Sequence, residues 1–107
     1  MIQARKKNLT RKDVLGILRA EQSFLKEKFG IEKIALFGSF ARGNPTLKSD
    51  VDLVIRLGRQ LGFEFFDMVD YLEKKLGRKV DALTPAGIES IRVKSIAEDI
   101  KRSMIDV

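Results

Sequence analysis

Three carboxylates and one glycine–serine pair are the residues of this chain best placed to do chemistry. Gly38 and Ser39 end an apolar run, and Asp50 and Asp52 follow after ten intervening residues, in "GSFARGNPTLKSDVDLVI". Strand alternation over 50–55 sends Val51, Leu53 and Ile55 to one side and Asp50, Asp52 and Val54 to the other. Two residues sharing a strand face in this way lie about 6.6–7 Å apart. At that separation two carboxylates repel by about 2–3 kcal/mol even at an effective dielectric of about 20. One of them must then hold a proton, or a cation must sit between them. Asp81, flanked by Val80 and Ala82, joins the same group if its strand is a neighbour. A donor set made only of oxygen selects Mg²⁺ or Mn²⁺ over zinc. On the other side of the loop, a strand that ends in a glycine turn and opens a short helix offers backbone N–H groups to an anion, and Ser39 adds a hydroxyl. The two halves fit one purpose: the turn holds phosphates, and the carboxylates hold the metal that bridges them.

Composition narrows the alternatives. The chain has 107 residues and is 44% hydrophobic, which suits one domain with one core. Cysteine and histidine are both absent, so thiolate chemistry, disulfides, imidazole bases and cysteine or histidine zinc sites are excluded. A net charge of +6 favours a polyanionic partner such as a nucleotide. Arg5, Lys6, Lys7, Arg11 and Lys12 precede the first acid, Asp13, so residues 1–9 read as a basic tail. No apolar run is long enough to cross a membrane and none follows the N-terminal basic residues as in a signal peptide, so the expected location is cytoplasmic.

The elements that must position these residues can be read from periodicity. Thr10 with Asp13 forms a capping box ahead of an apolar stripe through Val14, Leu18, Leu25 and Phe29, and Gly30 is the stop, which predicts a helix over 10–29. "IEKIALF" (31–37) reads as a strand buried on both faces, and "DVDLVI" (50–55) as a second strand. Leu61, Phe65, Met68, Val69, Leu72 and Leu76 form one helical stripe ending at Gly77. "RKVDALT" (78–84) is a third strand, Thr84-Pro85 opens a short helix, and a last helix covers about 93–103. The order α-β-β-α-β-α predicts an α+β fold, an α/β sandwich with helices against a small mixed sheet, in a single domain over 1–107.

Four fixed positions at roughly 5–7% usage each arise by chance in about one chain of this length in a thousand. The stretch resembles the signature of the nucleotidyltransferase superfamily related to DNA polymerase β. The "ARG", the "SDVDL" and the "KKLGRKVDALTP" look most like its minimal nucleotidyltransferase (MNT) group. The resemblance covers roughly residues 31–90 and implies a palm-like fold that moves a nucleoside monophosphate from a triphosphate, ATP as donor, to a hydroxyl with release of pyrophosphate. It also implies two metal ions held by Asp50 and Asp52, one of them shared with Asp81, which would help deprotonate the acceptor. Gly38 and Ser39 would contact the triphosphate. Arg42 has two open roles, neutralising phosphate or tying the loop to a carboxylate, while Lys48 and Arg56 are weaker candidates. Members of this group often pair with a HEPN-domain ribonuclease as its antitoxin, and some adenylylate a tyrosine of the toxin.

The stretch after Asp81 is too short for a separate substrate domain, so the acceptor is expected to arrive on a macromolecule. Phe63 and Phe66, or Met104, Ile105 and Val107, are the candidates for its docking surface. An aminoglycoside-like small molecule or an RNA 3′ end are the other acceptors. Two other classes compete with the enzyme. One is an inert, toxin-masking or nucleotide-binding module. The other is a nucleic-acid binder using the basic tail, disfavoured because one Tyr, no Trp and Phe residues mostly at core spacing lack the aromatic interleaving of a stacking surface.

Overall fold

The computed structural model describes residues 9–107, so the basic residues Arg5, Lys6 and Lys7 lie outside the described residues. Helix α1 (Arg11–Phe29) begins as the sequence predicts. Thr10 Oγ1 accepts from the Asp13 N–H at 3.1 Å and the Asp13 carboxylate accepts from the Thr10 N–H at 3.0 Å. Gly30 ends the helix in the left-handed region and leads into β1 (Ile31–Phe37). The chain then makes a short helix, α2 (Gly38–Arg42), and a loop before β2 (Val51–Leu57). Helix α3 (Glu64–Leu76) crosses back to β3 (Val80–Leu83), followed by α4 (Pro85–Glu89), α5 (Lys94–Ser103) and β4 (Ile105–Asp106).

The strands form one mixed sheet in the order β3-β2-β1-β4. β1 is antiparallel to β2 and to β4, and β2 is parallel to β3, as a helical crossover through α3 requires. Alternation divides the core by face. Ile34, Leu36, Val51, Leu53 and Ile55 pack with Val14, Leu18, Leu25 and Phe29 of α1 and Met68, Leu72 and Leu76 of α3. Ala35, Phe37 and Val54, on the opposite face, meet Ile88 of α4 and the half-buried Ala97 and Ile100 of α5. The expected α+β sandwich is therefore present, with helices on both sides of a small mixed sheet.

Three boundaries differ from the sequence reading, each for a physical reason. β2 starts at Val51, whose N–H donates to Lys79 O at 2.9 Å, so Asp50 lies just outside the strand. α3 starts three residues later than its apolar stripe, because Gly62 takes a φ of 58° that interrupts a helix, although Leu61 is still buried. The C-terminal residues make a short edge strand that sequence reasoning missed: Ile105 pairs with Leu36 and Asp106 with Ala35. Ile105 and Val107 pack on the larger cluster and Met104 on the smaller one. These three are half-buried against the two clusters, so part of their apolar surface is spent inside the fold. Phe63 and Phe66 do stand in solvent, 88% and 69% exposed. Among the described residues, no helix is long and apolar enough to cross a membrane.

Candidate functional site

The Gly-Ser turn and the aspartates meet at one corner of the sheet. Phe37, the last residue of β1, is the register partner of Asp52, and Asp52 is in turn the register partner of Asp81 on β3. Two adjacent parallel strands thus carry one carboxylate each at the same level. Asp50, just before β2, is exposed, as is Asp81, while Asp52 is half-buried. Gly38 follows Phe37 with a φ of 75°, and a Cβ built there would lie 2.1 Å from Asp52 Oδ2. Glycine is therefore demanded twice, by backbone conformation and by the carboxylate packed against it. The sequence had suggested only that Gly38 lets phosphate reach the backbone.

Asp52 carries the electrical consequence of this crowding. Its carboxyl is pushed from an ordinary 3.8 up to about 6, first by burial, then by the negative charges of Asp81 and Asp50, with Arg42 pulling partly back. The charge of Arg42 thus reaches the carboxylate, which favours one of its two roles. The same side chain also lines an open cleft of about 600 Å³ with Asp99, Arg102 and Ser103 of α5, which leaves the phosphate role available. On the other flank, Lys48, Ser49 and Asp50 line a second cleft of about 480 Å³ with Glu73, Arg78 and Lys79. Ser39 is half-buried in α2, directly after the turn. Arg56 is not brought to this corner. It faces Lys33 across the sheet, four residues beyond Asp52, and pairs with Glu32 at 3.6 Å.

Sequence reasoning missed Arg78. It is the charged residue that is buried among the described residues, 8% exposed. Its Nη1 donates to Ser49 O at 2.9 Å and Thr46 O at 3.3 Å, and its guanidinium lies 5.5 Å from the centre of the Phe40 ring. Nothing in "LGRKVD" distinguishes a buried arginine from an exposed one; the only clue is that it stands between a helix stop and a strand.

The donor chemistry of this corner is that of a hard divalent cation's ligands. Asp50, Asp52 and Asp81 offer oxygen only, and Asp52, raised in proton affinity first by burial, also feels the negative charges of the other two. Among the described residues no group of three or more acidic, histidine or cysteine side chains is gathered closely enough to cage an ion unaided. An ion at this corner would need further ligands from outside these side chains, as when nucleotide phosphates share a metal.

Comparison with known proteins agrees with this geometry. A nucleotidyltransferase domain family model matches residues 21–107. A Methanocaldococcus jannaschii protein described as a candidate protein adenylyltransferase (MJ1379) is 40% identical over 95 residues, covering 85% of this chain and 95% of the relative. A solved structure described as a candidate minimal nucleotidyltransferase superposes with a TM-score of 0.72 at 22% identity, over 94% of this chain and 99% of that one. A chain from the complex of a tri-AMPylated Shewanella oneidensis HEPN toxin with its MNT antitoxin gives a TM-score of 0.51 at 15% identity, over 90% of this chain and 66% of that one. The Gly-Ser turn facing paired aspartates across two strands, and a family match spanning most of the sequence, lead to one conclusion: the chain belongs to the nucleotidyltransferase family.

Proposed function

We propose that this corner moves AMP from ATP onto a hydroxyl of a partner protein, a tyrosine of a HEPN-type toxin, and that the chain is the cytoplasmic antitoxin of that pair. The observation that carries the reading is the placement of Asp52, level with Asp81, pressed against Gly38, and raised in proton affinity by its neighbours. The adenylyltransferase description of the Methanocaldococcus relative and the AMPylated toxin in the Shewanella complex support the choice of AMP and of a protein acceptor.

In this reading the Gly38 and Ser39 N–H groups and the Ser39 hydroxyl hold the triphosphate. Arg42 offsets the charge of Asp52 and meets phosphate when nucleotide is bound, with Lys48 a more distant aid. Asp50, Asp52 and Asp81 would hold Mg²⁺ or Mn²⁺, two ions in the loaded site, which supply positive charge to the phosphates and acidify the attacking hydroxyl. The acceptor oxygen forms a bond to the α-phosphorus while the bond from that phosphorus to the α–β bridging oxygen breaks. Pyrophosphate leaves with the electron pair, and the acceptor proton passes to a carboxylate, Asp81 being exposed and on the open side. With no histidine in the chain, a carboxylate is the side chain available for that proton at neutral pH.

The test is to incubate the chain and its HEPN-type partner with labelled ATP and Mg²⁺ and to map the label by mass spectrometry. A gain of about 329 Da per transferred AMP on a partner tyrosine, absent with EDTA and with Asp52→Asn, is the expected result. A tight complex with no mass change under any metal would replace the enzyme by a module that masks the toxin through contact alone.

A further inference from the structure

Arg78 carries a guanidinium buried to 8% exposure, and what that group holds bears on the site. An apolar residue of similar size would serve packing as well or better. What an apolar residue cannot do is hold main-chain carbonyls, and among the groups that Arg78 holds are two carbonyls of the turn leading into Asp50. Thr46 O accepts from Arg78 and also from the Ser49 N–H at 3.1 Å, which closes the turn, and Ser49 O is the carbonyl immediately before Asp50. The Thr46 N–H donates to Ser49 Oγ at 2.8 Å from within the same turn.

Asp50 depends on this turn more than Asp52 depends on anything comparable. Asp52 sits in the strand ladder with partners on both sides, whereas Asp50 precedes β2 and is exposed. The peptide after it is held by the Val51 N–H on Lys79 O, so the peptide before it is the other half of what directs its carboxylate. The guanidinium face of Arg78 meets Phe40, one residue after Ser39, and Arg78 itself stands three residues ahead of Asp81. One side chain thus touches the turn before Asp50 and the helix that carries Ser39, from the strand entry that leads to Asp81.

We infer that Arg78 is a positioning residue: by holding Thr46 O and Ser49 O it orients the Asp50 carboxylate toward the divalent cation. This rests on the metal-dependent reading above, and its test has an arm that needs no catalysis. Arg78→Met keeps an apolar stem over Phe40 and removes the donors, while Arg78→Lys keeps a charge and loses the fork. Hydrogen exchange of the amides over 44–50 should accelerate at least several-fold in Arg78→Met, with those of α1 and α3 unchanged. Titration with Mn²⁺ in the presence of the non-hydrolysable analogue AMP-PNP should show affinity weakened by about 10–100-fold, with partial rescue in Arg78→Lys. Because the effect runs through Asp50, adding Arg78→Met to Asp50→Asn should weaken Mn²⁺ binding little beyond Asp50→Asn alone.

If Arg78→Met fails to fold, Arg78→Lys decides by the same two measurements. Wild-type Mn²⁺ affinity in the variants, or fully additive losses in the double variant, would overturn the inference and leave Arg78 a buried packing group. Absence of chelator-sensitive Mn²⁺ binding in the wild-type protein is a different failure, since it removes the metal-dependent reading and the inference with it.

Discussion

The two faces of the sheet are built from the same strands and treated in opposite ways. On the α1–α3 side, Val51, Leu53 and Ile55 are sealed completely from solvent, as are Val14, Leu18, Leu25, Met68 and Leu72 opposite them. On the other side the apolar cluster is small, α5 contributes no fully buried residue, and Asp52 occupies the corner where cover stops. One face thus stores the stability of the fold, because every methylene it buries is removed from water. The other is left open at a corner where three carboxylates and Arg42 lie within electrostatic reach of one another. Neighbouring residues of β2 therefore have opposite value to the folded chain.

The largest expected effect is on the sealed face. Leu53→Ala should lower stability by about 3 kcal/mol, read as a drop in the urea midpoint, while transfer per folded molecule persists. A loss of less than about 1 kcal/mol would mean that the sealed face is not the main store of stability.

Gly38→Ala comes next, and it tests whether the open corner is truly crowded. An alanine there needs the left-handed backbone region and places its Cβ 2.1 Å from an Asp52 oxygen, so the carboxylate must move. The expected cost is about 2 kcal/mol in urea unfolding, with weakened Mn²⁺–AMP-PNP binding. Unchanged stability and unchanged binding would show that this corner is loose.

The smallest effect has the opposite sign to the first. The folded-state value of Asp52, about 6, lies above the ordinary 3.8. Between those values the native protein holds a proton that the unfolded chain releases, so the contribution of this group is full below the lower value and is lost as pH rises through the upper one. Asp52→Asn should accordingly stabilise the metal-free protein by roughly 1 kcal/mol near pH 8, the full shift being discounted for solvent exposure, and by almost nothing near pH 4. Paired thermal melts at the two pH values check this. Stabilisation of equal size at both would assign the effect to packing and not to charge.

Much of this was legible in the chain because it depends on local pattern. The capping box at Thr10, the alternation through Asp52 and the stripe from Leu61 to Leu76 each follow from the period of a helix or a strand; the first stands where expected, and the other two elements are present with later starts, at Val51 and Glu64. Phe63 and Phe66 fall outside the stripe of Leu61, Phe65, Met68, Val69, Leu72 and Leu76, and they are exposed. The edge strand at Ile105 was not legible, because two residues carry no period and their pairing with β1 comes from the far end of the chain. Arg56 and Lys48 looked equivalent in sequence, but strand length carries Arg56 away from the corner while the loop keeps Lys48 beside Asp50.

By itself the sequence determined what kind of chemistry is open here: with no cysteine or histidine it falls to carboxylates, hydroxyls, lysines and arginines, and the spacing of Gly38-Ser39 and Asp50-x-Asp52 picks out one candidate group among them. The tertiary structure alone decided what those residues experience. The sequence shows eight glycines alike, yet a Cβ on Gly38 would strike Asp52 and one on Gly16 would meet nothing within 4 Å. It shows three aspartates alike, yet Asp50 and Asp81 stand exposed while Asp52 is half-buried beside them, with its proton affinity raised. It shows Arg78 among 21 basic residues, yet this one is folded inward onto the carbonyls before Asp50. Burial and proximity arise from segments distant in the chain, and the energy of a charge depends on both, so local pattern can name such groups without saying what state they are in.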